Sequence, residues 1–132
     1  MGDKSALIIE DNRDLAAVFA QALQAAGFAT GIIQDGDQAL ARLAIDTPDV
    51  VVLDLHMPRV SGVDILRRIR ADNRLVGTRV IVATADSRVP DVLREQADLV
   101  LIKPVSFTQL RDLAARFFVQ ATPVVPSSLP AK

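Results

Sequence analysis

The sequence contains no cysteine among its 132 residues. Without cysteine there is no disulfide framework, no thiolate ligand for a metal ion and no thiol nucleophile. The absence therefore excludes disulfide-stabilised secreted domains, zinc–thiolate modules and cysteine-dependent enzymes. A reducing environment suits this composition, and we expect the protein to be cytoplasmic.

Long apolar runs are also missing. The apolar stretch that follows the first five residues is only four residues long and ends at Glu10. A signal-peptide core or a membrane-spanning helix needs a much longer run. We therefore expect a soluble protein that is not secreted and does not contact a membrane.

A strong charge of either sign is absent as well. The formal net charge is −1, half of the residues are hydrophobic and 23% are charged, which is an ordinary balance for a soluble globular protein. The basic residues concentrate in one region without interleaved aromatic residues, so we expect a solvated helix face and no direct contact with nucleic acid. These residues are Arg67, Arg68, Arg70, Arg74 and Arg79.

Short apolar runs alternate with helical patterns along the chain. Such runs suit strands that are buried on both faces of a parallel sheet. Five alternations of strand and helix predict an open α/β sandwich with helices on both faces of the sheet. The predicted strands are Ala6–Ile9, Val50–Leu53, Val80–Ala83 and Leu99–Ile102, with Ala29–Ile33 as a less uniform strand nearer an edge.

The helical patterns have recognisable starts and ends. Apolar residues recur at helical spacing from Leu15 to Ala26, and Gly27 follows as a stop signal. Ser61 and Ser106 each stand three residues before a polar partner, Asp64 and Gln109, and each pair predicts a capping box. Further helices are predicted over Asp37–Ala44 and Ser61–Arg70, and a shortened fourth helix over Arg88–Gln96, where Pro90 confines the start.

The end of the chain has a different character. Three prolines and two serines follow Val119, and no helical period continues. We predict one domain over residues 1–119 and a flexible tail or linker over residues 120–132.

Polar residues stand where the predicted strands end. Glu10 and Asp11 follow the first strand, Asp54 the third, Thr84 the fourth and Lys103 the fifth. Ligands of open parallel sheets bind beyond the carboxyl ends of the strands, so all five residues are predicted to share one rim of the sheet.

Each of these residues also has an ordinary structural interpretation. An aspartate after a strand is often a turn or a helix cap, and Glu10-Asp11 can belong to the capping loop of the first helix. Thr84 can be a plain strand residue, and Lys103 a solvated charge. Their common position favours a functional interpretation.

Three carboxylates on one rim repel each other unless a cation lies among them. Mg²⁺ prefers oxygen ligands and commonly takes only one or two protein carboxylates. One carboxylate is then free to attack phosphorus and form an acyl phosphate. The Lys103 ammonium and the Thr84 hydroxyl can stabilise charge on the transferring phosphoryl group.

The motifs together resemble the receiver domain of two-component response regulators. The similarity covers residues from about 5 to 119 and rests on several elements in the family's order. These are Glu10-Asp11, Asp54-Leu55-His56-Met57-Pro58 with Gly62 and Asp64, Ala83-Thr84-Ala85, and Lys103-Pro104. The resemblance implies a flavodoxin-like (βα)5 three-layer sandwich with strand order 2-1-3-4-5.

The resemblance also implies a function. Asp54 would receive a phosphoryl group from a histidine kinase or a phosphotransfer protein in a Mg²⁺-dependent reaction, with Thr84 and Lys103 assisting. The metal ligands would be Glu10, Asp11, Asp54 and the backbone carbonyl of His56, whose side chain is expected at the mouth of the site. The domain would catalyse only its own phosphoryl transfer and dephosphorylation. It would relay the signal by conformational change to a second copy of the chain or to a downstream output protein, and the Lys103-Pro104 bond would be cis.

Two features depart from the family pattern. Receivers usually carry an aromatic residue three positions before the lysine, and this chain has Val100 there. The interval from Thr84 to Lys103 is shorter than is usual by most of a helical turn. Both changes leave the phosphorylation chemistry intact and alter the face that most receivers use for output.

Three other functions compete with this interpretation. A degenerate receiver would bind a partner without phosphorylation, but the set of five rim residues is complete. An aspartate-dependent phosphatase would need a second carboxylate where His56 stands. A flavin site would need a phosphate-binding loop after the first strand, where Glu10 and Asp11 would repel the phosphate.

Overall fold

We describe a computed structural model, which covers the backbone of residues 4–121 and the side chains of residues 4–117. Strands and helices alternate along the chain, as predicted. The strands are β1 (Ser5–Ile9), β2 (Ala29–Ile33), β3 (Val50–Asp54), β4 (Arg79–Thr84) and β5 (Leu99–Ile102). The helices are α1 (Arg13–Ala25), α2 (Gly36–Leu43), α3 (Gly62–Ala71), a short 3₁₀ turn (Asn73–Leu75), α4 (Asp91–Gln96) and α5 (Phe107–Ala121).

All five strands pair in parallel in the order β2-β1-β3-β4-β5. The predicted flavodoxin-like order is therefore confirmed, and β2 lies at an edge as expected. The central strand β3 is buried along its whole length, which explains its unbroken run of apolar residues before Asp54.

Two apolar cores cover the two faces of the sheet. Alternate residues of each strand point to opposite faces, so that Leu7 and Ile9 join one core and Ala6 and Ile8 join the other. Helices α2, α3 and α4 close the first core, and α1 and α5 close the second. Val18, which has the spacing of the buried residues of α1, is instead 38% exposed.

The helix ends follow the predicted signals closely. Ser61 accepts a hydrogen bond from the Asp64 backbone N–H at 3.3 Å, and Ser106 accepts one from Gln109 at 3.0 Å. Gly27 follows α1 with a φ of 103°, a left-handed conformation that favours glycine. Each cap starts or stops a helix within one or two residues of its predicted position.

Helix α4 is short, as the sequence predicts. It spans 6 residues after Pro90, which supplies no side-chain cap, and only Leu93 on it is buried. The neighbouring helix α3, which packs on the same core, buries 4 of its 10 residues. The α4 segment is therefore the more weakly packed of the two neighbouring helices.

The arginine-rich region differs from the sequence prediction. Arg70 is only 23% exposed, and its guanidinium donates to the carbonyl oxygens of Gln96 at 2.6 Å and Thr78 at 2.9 Å. The same group pairs with Asp98 at 3.0 Å, and Arg79 approaches Asp98 at 3.4 Å. The prediction of a solvated face is therefore wrong for Arg70, because polar groups from distant parts of the chain converge on it.

The predicted boundary between residues 119 and 120 falls within α5, whose backbone continues to Ala121. The rest of the predicted tail, residues 122–132, lies outside the described residues. None of the helices in the described part of the chain combines the length and apolar character needed to span a membrane.

Candidate functional site

The acidic residues predicted at the strand ends lie together. Strands β1 and β3 are neighbours, so Glu10 and Asp11 after β1 come close to Asp54 at the end of β3. Carboxylate oxygens of the three residues lie within 4.8 Å of one another. Glu10 is 1% exposed and Asp54 is 4% exposed, whereas Asp11 faces solvent. This geometry offers several oxygen ligands to a single cation at the carboxyl edge of the sheet.

Lys103 reaches into this cluster from the end of β5. Its Nζ lies 2.9 Å from Glu10 Oε1 and 3.6 Å from Asp54 Oδ1. The Lys103 backbone N–H donates to the Thr84 carbonyl at 2.8 Å, and the Lys103-Pro104 peptide bond is cis, as predicted. One ammonium group therefore faces the carboxylates of both Glu10 and Asp54.

Burial dominates the electrostatics of the cluster. Desolvation raises the pKa of Asp54 above its ordinary value, although hydrogen bonding from His56 and the charge of Lys103 oppose the shift. Burial also raises the pKa of Glu10, against the hydrogen bond from Lys103. Both shifts mean that the negative charge of these carboxylates is poorly solvated in the protein alone, which favours binding of a cation.

His56 follows Asp54 in the loop after β3, and Thr84 ends the neighbouring strand β4. The His56 backbone N–H donates to Asp54 Oδ1 at 3.1 Å, and the imidazole is exposed. Thr84 is fully buried, and its hydroxyl oxygen accepts a hydrogen bond from the Asp86 backbone N–H at 3.2 Å. The hydroxyl proton of Thr84 can therefore be directed to another acceptor.

The helix-capping role that the sequence allowed for Glu10 and Asp11 is filled by a different residue. Asn12 caps α1, because its Oδ1 accepts from the Leu15 N–H at 2.9 Å. Glu10 contributes only by accepting from the Asn12 N–H at 3.2 Å, and its other oxygen binds Lys103. The side chains of Glu10 and Asp11 therefore do not cap the helix, and their carboxylates belong to the acidic cluster.

A glycine supports the site, although the sequence pattern assigned it no role beyond the motif. A Cβ atom on Gly62 would lie 2.0 Å from the Asp54 carbonyl oxygen and 2.6 Å from Leu55 Cα. The Gly62 N–H donates to the Leu55 carbonyl at 3.0 Å. Helix α3 can therefore begin directly against the end of β3 only with glycine at this position.

An open space adjoins Thr84 on the side of α4. It has a volume of about 300 Å³, and its lining includes Thr84, His56, Val89 and Leu93. Its apolar lining comes from both sides, with Leu55 and Val63 near α3 and Val89 and Leu93 in the segment after β4. The segment after β4 therefore borders a space that is not filled by packed side chains.

The sequence comparisons agree with this geometry. Residues 6–115 match the family described as the response regulator receiver domain. The DNA-binding response regulator MtrA of Mycolicibacterium paratuberculosis is 37% identical over 101 residues, which cover 74% of this chain and 44% of MtrA. The transcriptional regulatory protein CutR of Streptomyces coelicolor is 36% identical over 126 residues, covering 90% of this chain and 57% of CutR. The chain therefore spans roughly half the length of these curated relatives.

A solved structure with the same fold is similar over most of the chain. The response regulator TrrA of Thermotoga maritima superposes with a TM-score of 0.76 at 25% identity, over 86% of this chain and 97% of that one. The sequence and the fold therefore indicate the same family. The chain thus belongs to the family of response regulator receiver domains, the phosphoacceptor signalling domains of two-component systems.

Proposed function

We propose that Asp54 is the residue that accepts the phosphoryl group. The observation that carries this proposal is its position: Asp54 ends the central strand, is 4% exposed, and lies within 3.6 Å of the Lys103 ammonium. Glu10 is equally buried, but one of its oxygens is taken by Lys103 at 2.9 Å and the other by the Asn12 N–H. Asp54 is therefore the acid best placed to react.

The donor set at this rim fits Mg²⁺. The described residues place three carboxylates together, and hard oxygen ligands of this kind are those that Mg²⁺ prefers. Glu10, Asp11, Asp54 and the backbone carbonyl of His56 would hold the ion. When bound, it would neutralise charge on the phosphoryl oxygens and on the carboxylates. The TrrA structure is described as a complex with Mg(2+)-BeF, which supports the same proposal for this chain.

The transfer itself needs few groups. A carboxylate oxygen of Asp54 attacks the phosphorus of a phosphohistidine, the P–N bond breaks, and the imidazole leaves with the electron pair. Lys103 stabilises charge on the phosphoryl oxygens, and the Thr84 hydroxyl donates a hydrogen bond to one of them. The domain catalyses only this transfer and the later hydrolysis of its own aspartyl phosphate.

The partners follow from this chemistry. The donor would be a histidine kinase or a phosphotransfer protein, and the phosphorylated domain would act on a second copy of the chain or on a downstream output protein. A cytoplasmic location belongs to the same proposal. MtrA is described as DNA-binding, but that activity belongs to the longer protein, and we propose no direct nucleic-acid contact for this domain.

The phosphoacceptor is tested by intact mass. Wild type, Asp54→Asn and Asp112→Asn are incubated with acetyl phosphate and Mg²⁺. Asp112 is exposed, with a side chain 56% accessible, and belongs to no described acidic cluster, so it is a matched control. Wild type and the control should gain one phosphoryl group, and Asp54→Asn should gain none. An equal gain by Asp54→Asn would refute the assignment.

A further inference from the structure

The loop between β3 and α3 has an unusual backbone at its apex. Arg59 has a φ of 65°, and it is the one non-glycine residue in the described backbone with a positive φ. A left-handed conformation costs a non-glycine residue about 1 kcal/mol or more. The same loop carries the His56 carbonyl three residues earlier. Something beyond the local backbone must therefore hold Arg59 in this conformation.

The side chain of Arg59 supplies such a contact. Its guanidinium pairs with the carboxylate of Asp35 and lies 3.9 Å from Asp37. Asp35 is already fixed, because its Oδ1 caps α2 by accepting from the N–H groups of Asp37 at 2.8 Å and Gln38 at 3.2 Å. Arg59 therefore binds a carboxylate that needs little further ordering, and this reduces the entropy cost of the pair.

A second contact joins the same two segments. A Cβ atom on Gly36, the first residue of α2, would lie 2.6 Å from Val60 Cβ and 2.7 Å from the Val60 carbonyl oxygen. The backbone of α2 therefore touches the loop directly at the residue after Arg59. The ion pair and this contact together attach the middle of the loop to the start of α2.

We infer that Asp35 and Arg59 are positioning residues for the metal site. The pair holds the β3–α3 loop in the conformation that presents the His56 carbonyl beside Asp54. This inference rests on the proposed function, since it gives the His56 carbonyl the role of a metal ligand. If the pair is lost, the loop samples other conformations, and the apparent Mg²⁺ affinity falls with the fraction of molecules that keep the competent one.

The positive charge of Arg59, considered alone, predicts the opposite change in Mg²⁺ affinity. Arg59 carries a positive charge near an acidic cation site, so removing it should strengthen Mg²⁺ binding if only long-range repulsion matters. The positioning role predicts weaker binding. The pair is partly exposed, with Arg59 at 64% and Asp35 at 25%, so the expected effect is modest. We expect the Mg²⁺ dissociation constant to rise about threefold to tenfold.

The experiment measures Mg²⁺ binding by NMR titration of the unphosphorylated protein. Arg59→Gln should raise the dissociation constant by that factor. Arg59→Gly should raise it by less, because glycine adopts the positive φ without the steric cost that the ion pair offsets. Arg59→Lys keeps a charge that can reach Asp35 and should restore part of the affinity. Hydrogen exchange of the metal-free protein should be faster in residues 56–60 of Arg59→Gln than of wild type.

Two further variants complete the design. Arg13→Gln removes a positive charge at the same rim, on an exposed residue at the start of α1, and should leave the affinity unchanged or slightly increased. Asp35→Asn keeps a capping oxygen and loses the ion pair. The double variant Asp35→Asn/Arg59→Gln should bind Mg²⁺ no more weakly than the weaker single variant, as expected for residues that act through one contact.

The outcomes separate this inference from the proposed function. Unchanged or tighter Mg²⁺ binding by Arg59→Gln, or additive losses in the double variant, would overturn the positioning role. Asp54→Asn is titrated in parallel. If Asp54→Asn loses binding while Arg59→Gln does not, only the positioning role fails. If Asp54→Asn binds Mg²⁺ as tightly as wild type, the proposed metal site itself is wrong.

Discussion

The two walls of the site differ in how firmly they are held. The α3 wall, residues 55–62, is fixed by the close approach of Gly62 to Asp54 and by the contacts of Arg59 and Val60 with α2. The α4 wall, residues 85–96, begins after Thr84 and ends in a 6-residue helix with one buried side chain and no side-chain cap. Both walls line the open space of about 300 Å³, but only the α3 wall is also held by close backbone contacts at several points.

Under the proposed function, this difference suits the two walls to different tasks. The wall that would present the His56 carbonyl to a metal ion needs a fixed geometry, because a misplaced ligand weakens a metal site. The wall that follows Thr84 is expected to change when a phosphoryl group is present, and its low local stability lowers the free-energy cost of that change. We therefore propose a fixed α3 wall for metal binding and an α4 wall that responds to phosphorylation.

The largest loss of stability should come from adding a side chain at Gly62, where no room exists for one. Gly62→Ala places a methyl group against the Asp54 carbonyl and should lower the free energy of unfolding by about 3 kcal/mol. Gly77 is the matched control, because nothing lies within 4 Å of the Cβ position there. Urea unfolding of both variants checks the prediction. If Gly62→Ala is as stable as Gly77→Ala, the α3 wall is not rigid.

The next effect concerns the far end of the α4 wall. Arg70 joins α3 to the Gln96 carbonyl and to Asp98, so it anchors the C-terminal end of α4 while its N-terminal end stays weakly held. Arg70→Met keeps most of the packing and removes these charge-assisted hydrogen bonds, and it should cost about 2 kcal/mol. Arg67→Met on the same helix is the control, since Arg67 is 63% exposed with a single ion-pair partner at 4.0 Å. Equal stability of the two variants would show that Arg70 is no anchor.

A smaller effect of opposite sign, an increase in the free energy of unfolding, is expected when Asp54 is replaced. Burial raises the pKa of Asp54, so the folded protein is stabilised when this group is protonated and loses that stability as the pH rises through the raised value. Asp54→Asn should therefore stabilise the metal-free protein at pH 7 by about 1 kcal/mol. The gain should shrink at acidic pH and with saturating Mg²⁺, which favours the wild type.

Thermal unfolding at several pH values, with and without Mg²⁺, measures this difference. Asp112→Asn is the control, because its side chain is 56% exposed and belongs to no described acidic cluster. A metal-free Asp54→Asn protein that is less stable than wild type at neutral pH would contradict the electrostatic account.

The smallest effect, a difference in hydrogen exchange, should distinguish the α3 wall from the α4 wall directly. Val100 is β-branched with few χ1 rotamers, so an aromatic rotamer switch is absent from this position. A beryllofluoride mimic of the phosphoryl group should draw Thr84 inward and change hydrogen exchange in residues 84–98 more than in residues 55–62. Changes confined to the immediate phosphorylation pocket, or to another face, would contradict the proposed division of tasks.

Much of the fold could be predicted from the sequence because burial leaves a regular pattern. The apolar runs mark the strands, and the residues that end them share one edge once the sheet is parallel. That topological rule is sufficient to bring Glu10, Asp11, Asp54 and Lys103 together. The shortness of α4 follows from the position of Pro90 and the interval to Lys103.

Other contacts leave no such pattern. Arg70 meets Gln96 and Asp98 across separations of 26 and 28 residues, and nothing in the periodicity of α3 distinguishes it from its solvated neighbours. The conformation of Arg59 is equally hidden, because left-handed positions are usually recognised by glycine or asparagine. Hydrophobic spacing reports which side chains are buried, but it does not report where a guanidinium finds its acceptors.

The ion pair between Glu10 and Lys103 has a consequence for the order of folding. It joins side chains 93 positions apart, one just beyond the first strand and the other just beyond the last. Long-range contacts of this kind form only after the intervening chain has closed its loops. A growing or partly folded chain therefore lacks the ammonium beside Asp54, even when β1 and β3 are already paired. Under the proposed function, only molecules that have completed the sheet would be competent to receive the phosphoryl group.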